Sequence, residues 1–238
     1  MAVGLLLCDH LDADVAPTAG DYTELYPAVL GPVGVELRVY EVIRGEFPTT
    51  TDECDGWIVS GSRRSAYEPE PWIEALAEFI RRVVDARRPL VGICFGHQLI
   101  ALALGGEVSA AEVGWGVGAK SFRVVAGAPW MQPGTGHFTI LMSHKDQVQR
   151  LPEGAELLAS ADYCPVGAYR IEDHVFCVQG HPEFVPELSR VLIEKRRPVL
   201  GDELADEAIE SLDRPVDRDL LAHWIADFLG HHDANRSI

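Results

Sequence analysis

Pro89-Leu90-Val91-Gly92-Ile93-Cys94-Phe95-Gly96-His97-Gln98-Leu99-Ile100-Ala101 is the stretch on which the reading of the fold turns. Residues 90–93 form a short apolar run with the character of a buried strand. It passes through Gly-x-Cys-x-Gly straight into an apolar helical segment, 98–104, which stops at Gly105-Gly106. This is the thiol form of a nucleophile elbow, in which the two glycines permit a tight strand-to-helix turn that projects Cys94 into a cleft. At a helix N-terminus, unpaired backbone N–H groups and the helix dipole stabilise a thiolate. The Phe95 N–H is the natural donor to the oxyanion of a tetrahedral intermediate.

The flanking segments repeat the strand-and-helix theme. Short β-rich runs at 3–8, 35–40 and 56–60 precede the elbow and alternate with helical or loop segments, which predicts a parallel sheet flanked by helices. Residues 72–88 carry Trp72, Ile73, Leu76, Phe79, Ile80, Val83 and Val84 at three- and four-residue steps, with acids early and arginines late, and Pro89 ends that helix. Asp21 stands near the N-cap of another. From residue 120 to 179 the pattern changes to closely spaced runs at 120–126, 137–143, 156–159, 166–171 and 175–179, separated by Pro- and Gly-containing turns. These predict antiparallel hairpins, some continuing the main sheet and others forming a side layer. Helical periodicity returns at 187–196, 203–212 and 219–229. The expected architecture is one α/β domain over residues 1–230, with a central, mostly parallel sheet flanked by helices and a smaller antiparallel layer. Extra helices occupy 198–230, and residues 231–238 form a frayed tail.

Composition narrows the class of function. At 238 residues, 47% hydrophobic and 24% charged, the chain is suited to one compact core and not to a disordered or fibrous state. Its net charge of −17, spread along the chain, repels phosphate backbones and acidic lipid, so neither nucleic acid nor membrane is expected as a partner. The bland reading of that charge is a solvated surface. Five cysteines, odd in number and without a Cys-x-x-Cys pair, fit reduced thiols in a cytoplasm better than a disulfide framework or a zinc ribbon. The apolar start of the chain lacks a basic leader and meets Asp9 far short of a membrane span, so it reads as a buried first strand. The cluster His10-Leu11-Asp12-Ala13-Asp14 has no matching ligand set elsewhere, and no metal or other cofactor is expected.

A thiolate nucleophile needs a base that holds its proton and later delivers it to a leaving amine. His181 suits that task, and Glu183, two residues on, suits the acceptor that fixes the imidazole tautomer. With these residues in view, Gly92-Ile93-Cys94-Phe95-Gly96-His97-Gln98 resembles the Cys loop of class I glutamine amidotransferases. Val178-Gln179-Gly180-His181-Pro182-Glu183-Phe184 resembles that family's His-Pro-Glu motif. Leu141-Met142-Ser143-His144-Lys145-Asp146-Gln147-Val148 resembles the Met-Ser-His-x-Asp segment of the GMP synthetase amidotransferase branch. The likeness covers roughly residues 56–185 in order and spacing.

The resemblance implies a flavodoxin-like fold and a catalytic Cys94, His181 and Glu183. It places the second oxyanion donor in the turn at Gly61-Ser62, alongside Phe95. There the family's Gly-Gly-Pro is replaced by Gly61-Ser62-Arg63, and segment 62–72 looks more like a stand-alone branch that includes γ-glutamyl peptidases. It further implies that Gln98 contacts the α-amino acid end of the substrate and that Ser143 and His144 contact its carboxylate. The expected reaction is cysteine-dependent hydrolysis of the γ-amide of glutamine through a γ-glutamyl thioester, releasing glutamate and ammonia. No phosphate-binding loop accompanies it, so a synthetase that used the ammonia would be a separate chain. Two other readings stand beside it: a self-sufficient γ-glutamyl peptidase, and a catalytically silent binding module that keeps the fold.

Overall fold

The computed structural model describes the backbone of residues 1–236 and the side chains of residues 1–230. In chain order the elements are β1 (Ala2–Leu6), α1 (Tyr22–Leu30), β2 (Glu36–Tyr40), β3 (Gly56–Val59), α2 (Pro71–Asp85), β4 (Leu90–Ile93), α3 (Phe95–Ala103), β5 (Glu107–Ala110), β6 (Gly116–Val124), β7 (His137–His144), β8 (Asp146–Arg150), β9 (Ala155–Ala161), β10 (Cys164–Ile171), β11 (Val175–Val178), α4 (Pro186–Leu200), α5 (Asp202–Ser211) and α6 (Arg218–Arg236). Nine strands make one sheet in the order β2-β1-β3-β4-β11-β10-β9-β6-β7. The first five of these are parallel neighbours, and from β11 onward every pairing is antiparallel.

Two cores sit on the two faces of the sheet, and strand periodicity assigns residues to them. Val3 and Leu5 of β1 pack with Tyr26 of α1 and with Trp224 and Phe228 of α6. Leu6, next along the strand, faces the other way, with Leu76, Phe79 and Ile80 of α2 and Leu99 of α3. This is the two-residue alternation of a strand covered on both faces. Among the described residues no helix is long and apolar enough to cross a membrane.

The structure refines three sequence expectations. All four long antiparallel strands, β6, β7, β9 and β10, join the main sheet, and the side layer is a separate two-stranded sheet of β5 and β8. Neither of its strands is among the expected runs, because β5 is exposed or half-buried throughout and β8, Asp-Gln-Val-Gln-Arg, holds a single apolar residue. The helix after the elbow begins at Phe95 rather than Gln98, making Cys94 the residue immediately before it. The expected frayed tail, 231–238, falls outside the described residues except for the backbone of 231–236, which continues α6.

The elbow owes its shape to its residues in a different way from that expected. Neither Gly92 nor Gly96 has a positive φ; the unusual backbone is at Cys94 itself, with φ 52° and ψ −100°. The glycines serve close approach instead. A Cβ on Gly96 would lie 2.3 Å from the Val59 carbonyl oxygen, and one on Gly92 would lie 2.7 Å from Ile100 Cδ1. The bare backbone of α3 therefore rests directly on β3 and β4, which holds Cys94 in its strained turn. Gly96→Ala should cost about 3 kcal/mol, the upper end for overpacking, because the clash is with backbone that has no rotamer to change. A thermal melt would read this as a drop of several degrees, and an unchanged midpoint would contradict the close contact.

Candidate active site

Three adjacent parallel strands deliver the candidate residues. β3 pairs with β4 up to Val59 opposite Gly92, and β11 pairs with β4 up to Val178 opposite Ile93. The segments that follow, Ser60-Gly61-Ser62, Cys94 and Gln179-Gly180-His181, thus leave the sheet side by side at the carboxyl ends of its strands, where open α/β sheets place their ligands. Two backbone bonds fix the outcome: Cys94 N–H donates to Val178 O at 3.0 Å, and His181 N–H donates to Leu141 O at 2.9 Å. Above them opens a cavity of about 260 Å³ lined by Ser62, Cys94, Gln98, Ser143, His144 and His181, among others.

Cys94 and His181 are each only 3% exposed, and Glu183 is fully buried behind the imidazole. A Cβ placed on Gly61 would lie 3.0 Å from His181 Cε1 and 3.8 Å from Cys94 Cβ, so the absence of a side chain there leaves room for both. His181 Nδ1 bonds to Glu183 Oε1 at 2.8 Å, while its buried Nε2 has no hydrogen-bond partner of normal geometry among the described residues. With a carboxylate as acceptor, Nδ1 carries the proton and Nε2 is the atom left for chemistry. The ring is further held by Phe184, stacked at 4.0 Å between centroids, which in turn stacks on Tyr22 at 6.3 Å.

Burial works against a charged His181. The charges of Cys94 and Glu183, with the polar contacts that His181 makes to both, outweigh it, so the imidazole holds its proton well above its ordinary value of 6.5. A proton bound more tightly in the folded chain than in the unfolded one stabilises the fold in full below about 6.5. That stabilisation fades as pH rises through the raised value.

Tyr26, on α1, is the functional neighbour that sequence reading missed. Its hydroxyl donates to Glu183 Oε1 at 3.2 Å and accepts from the Gly61 N–H at 3.3 Å. It lies 157 residues from Glu183 in the chain, and an apolar helix face carrying Tyr22 and Tyr26 does not announce which of them reaches a distant carboxylate. The bridge also corrects the expectation for Gly61, whose N–H is already engaged. Ser62 N–H and Phe95 N–H have no partner among the described residues; Ser62 lines the cavity with Cys94, and Phe95 follows Cys94 in the chain. Tyr26→Phe strands a buried N–H and removes one bond from Glu183, so a stability loss of about 1–3 kcal/mol is expected in a denaturant titration. A melt and titration equal to wild type would mean the hydroxyl bridge is not formed.

The remaining candidates divide by what they already hold. Gln98 Nε2 donates to Asp146 O at 2.7 Å and to Gln179 Oε1 at 3.1 Å, which orients the amide and leaves Gln98 Oε1 without a partner among the described residues. Ser143 Oγ accepts from Arg196 Nη1 at 2.7 Å. His144 is buried; burial first, and then the charge of His181, push it down to about 3, so it stays neutral. Its Nε2 lies 3.3 Å from Gln147 Nε2, itself a donor, which makes Nε2 the acceptor and puts the proton on Nδ1. In the replaced turn, Arg63 is bound by Asp9 and Asp12. The residues of the 10–14 cluster go to different partners: His10 to Asp21 and Glu41, and Asp12 and Asp14 to Lys195. All five cysteines are free.

Comparison with known proteins bears on the family and the fold. The family model for glutamine amidotransferase class-I matches residues 19–197. Gamma-glutamyl peptidase 3 of Arabidopsis thaliana is 32% identical over 225 residues, covering 89% of this chain and 88% of the relative. A component of the glutamine-hydrolyzing GMP synthase of Methanocaldococcus jannaschii is 39% identical over 178 residues, covering 71% of this chain and 86% of the relative. Among solved structures, a glutamine amidotransferase from Thermotoga maritima superposes with a TM-score of 0.75 over 97% of this chain and 96% of that one, at 16% identity, a likeness of fold. A cysteine held before a helix at the rim of a parallel sheet, within a family match that spans both the Cys and the His segments, leads to one assignment: the chain belongs to the class I glutamine amidotransferase family.

Proposed function

We propose that the protein hydrolyses γ-glutamyl amide bonds through a thioester on Cys94. The observation that carries this reading is the Cys94 backbone at φ 52°, which presents a thiol to the same cavity as an imidazole whose far nitrogen is bonded to a buried carboxylate. Cys94 Sγ attacks the γ-carbonyl carbon, and the resulting oxyanion accepts hydrogen bonds from Phe95 N–H and Ser62 N–H. The C–N bond breaks as His181 gives its Nε2 proton, the one lost by the Cys94 thiol, to the leaving nitrogen. Water, losing a proton to His181, then attacks the thioester carbon, releasing glutamate and restoring the thiol. Gln98 Oε1, which has no donor among the described residues, accepts from the substrate's α-ammonium group.

Glutamine and γ-glutamyl peptides share this bond. The glutamine reading draws on the relatives named as glutamine-hydrolyzing GMP synthase components; on that reading ammonia passes to a separate synthetase chain. The peptide reading is favoured by the relative aligned over 88% of its length under the name γ-glutamyl peptidase. It also accommodates the turn at Ser62-Arg63-Arg64, which lines the cavity beside Cys94.

Incubating the purified chain with L-glutamine and with γ-glutamyl dipeptides, and following glutamate, tests the proposal. Turnover of dipeptides by the chain alone would establish the peptidase reading. Glutamine turnover dependent on a second protein would establish the amidotransferase reading. No glutamate from either substrate, with or without a synthetase, would refute both.

A further inference from the structure

The cavity is basic in an acidic protein: five basic and three acidic side chains line it, in a chain of net charge −17. Most of that positive charge is already compensated. Arg63 is paired with Asp9 and Asp12, Arg64 with Glu68 and Glu70, and Lys195 with Asp12 and Asp14. Lys145 is exposed. Arg196, on the last turns of α4, is half-buried, yet it has no carboxylate within ion-pair distance among the described residues.

Its guanidinium is nevertheless held in place. Nη1 donates to Ser143 Oγ at 2.7 Å, and the group lies 5.6 Å from the centre of the Trp115 ring. Burial pushes Arg196 down, and nearby negative charge, that of Cys94 included, offsets this only in part. A guanidinium desolvated without a counter-ion is costly unless something else neutralises it. One hydroxyl uses only one of its five donors, and its planar fork matches a carboxylate in two parallel bonds.

We infer that Arg196, oriented by Ser143 and Trp115, is the counter-charge for a carboxylate of the bound substrate. The inference rests on the γ-glutamyl reading for the identity of the substrate. Two carboxylates qualify: that of the glutamyl α-carbon, and that of an amino acid leaving group. Neither α4 nor its arginine forms part of the elbow or the His-Pro-Glu segment, so this contact would set which γ-glutamyl compounds bind, and it takes no part in making or breaking bonds.

The test is equilibrium binding to the Cys94→Ala protein, which removes turnover from the measurement. The ligands are γ-glutamylglycine, γ-glutamylglycinamide and the glutamyl α-amide of γ-glutamylglycine. Adding Arg196→Gln should weaken γ-glutamylglycine about 30- to 100-fold, as expected for loss of a charge-assisted bidentate contact, and Arg196→Lys should recover part of that loss. If the α-carboxylate is the partner, Arg196→Gln leaves the already weak α-amide unchanged and still penalises the glycinamide. If the leaving-group carboxylate is the partner, the pattern is reversed.

Equal binding of all three ligands with and without Arg196→Gln, in variants that melt as the parent does, would overturn the inference and leave the hydrolytic reading standing. Failure of the Cys94→Ala protein to bind any of the three would overturn it as well. A wild-type chain that releases no glutamate while Arg196-dependent binding persists would refute the hydrolysis and uphold the carboxylate contact. Loss of folding in Arg196→Gln is separated from loss of contact by Ser143→Ala, which frees the guanidinium without deleting it and should weaken γ-glutamylglycine by several-fold.

Discussion

Replacing Cys94 by alanine should lower glutamate release on the order of 10⁵-fold while leaving the fold intact, because in the proposed mechanism the sulfur is the atom that bonds to substrate and no neighbouring thiol can take its place. Cys8, Cys54, Cys164 and Cys177 are all buried, and only Cys94 among the five lines the cavity. The companion variant makes the prediction specific. With φ at 52° and ψ at −100°, residue 94 sits where a side chain is strained and glycine is at ease. Cys94→Gly should therefore be as inactive as the alanine variant but more stable, by about 1 kcal/mol, or roughly 2–4 °C in the melting midpoint for a chain of this size. A protein that keeps its elbow for packing would lose stability in both variants. Residual glutamate release near the wild-type rate in either would remove Cys94 from the chemistry.

Glu183→Gln carries the second large effect. The carboxylate is fully buried, accepts from His181 Nδ1 and is bonded by the Tyr26 hydroxyl. An amide in its place has an N–H to offer, so it can turn the imidazole to the tautomer with Nε2 protonated and Nδ1 accepting. Such an exchange costs about 10³- to 10⁴-fold in kcat where a histidine must act as base. Loss of the negative charge also lowers the affinity of His181 for its proton. The alkaline limb of the kcat/KM profile, set by loss of that proton, should thus move to lower pH in Glu183→Gln. Over the same range the variant's stability should depend less on pH, because less proton affinity is gained on folding. A profile whose alkaline limb stays in place would show that His181 is not the group being titrated.

Several features of the molecule can be read without its structure. Four apolar residues running through Gly-x-Cys-x-Gly into a helix, and the His-Pro-Glu segment far downstream, are local constraints that a chain must write into its residues. They marked the sheet, the elbow and Cys94, His181 and Glu183 as residues to be brought together. Helix periodicity marked α2 in the same way, since an amphipathic stripe is a property of one segment. The family membership supported by the match over residues 19–197 was legible at that level.

What tertiary structure decided lies in groups with no local signature. The strain falls on Cys94 and not on the flanking glycines, because what those glycines relieve is the approach of α3 to Val59, a contact between segments. Tyr26 reaches Glu183 across 157 residues and occupies the Gly61 N–H, shifting the free donor to Ser62. Arg196 meets Ser143 across 53 residues and is left uncompensated because its neighbours Arg63 and Lys195 took the nearby aspartates. Backbone geometry and periodicity are short-range and therefore leave a pattern in consecutive residues. Which buried donor or charge remains unpaired is settled only when every competing partner has been brought within reach, and that is a property of the folded chain alone.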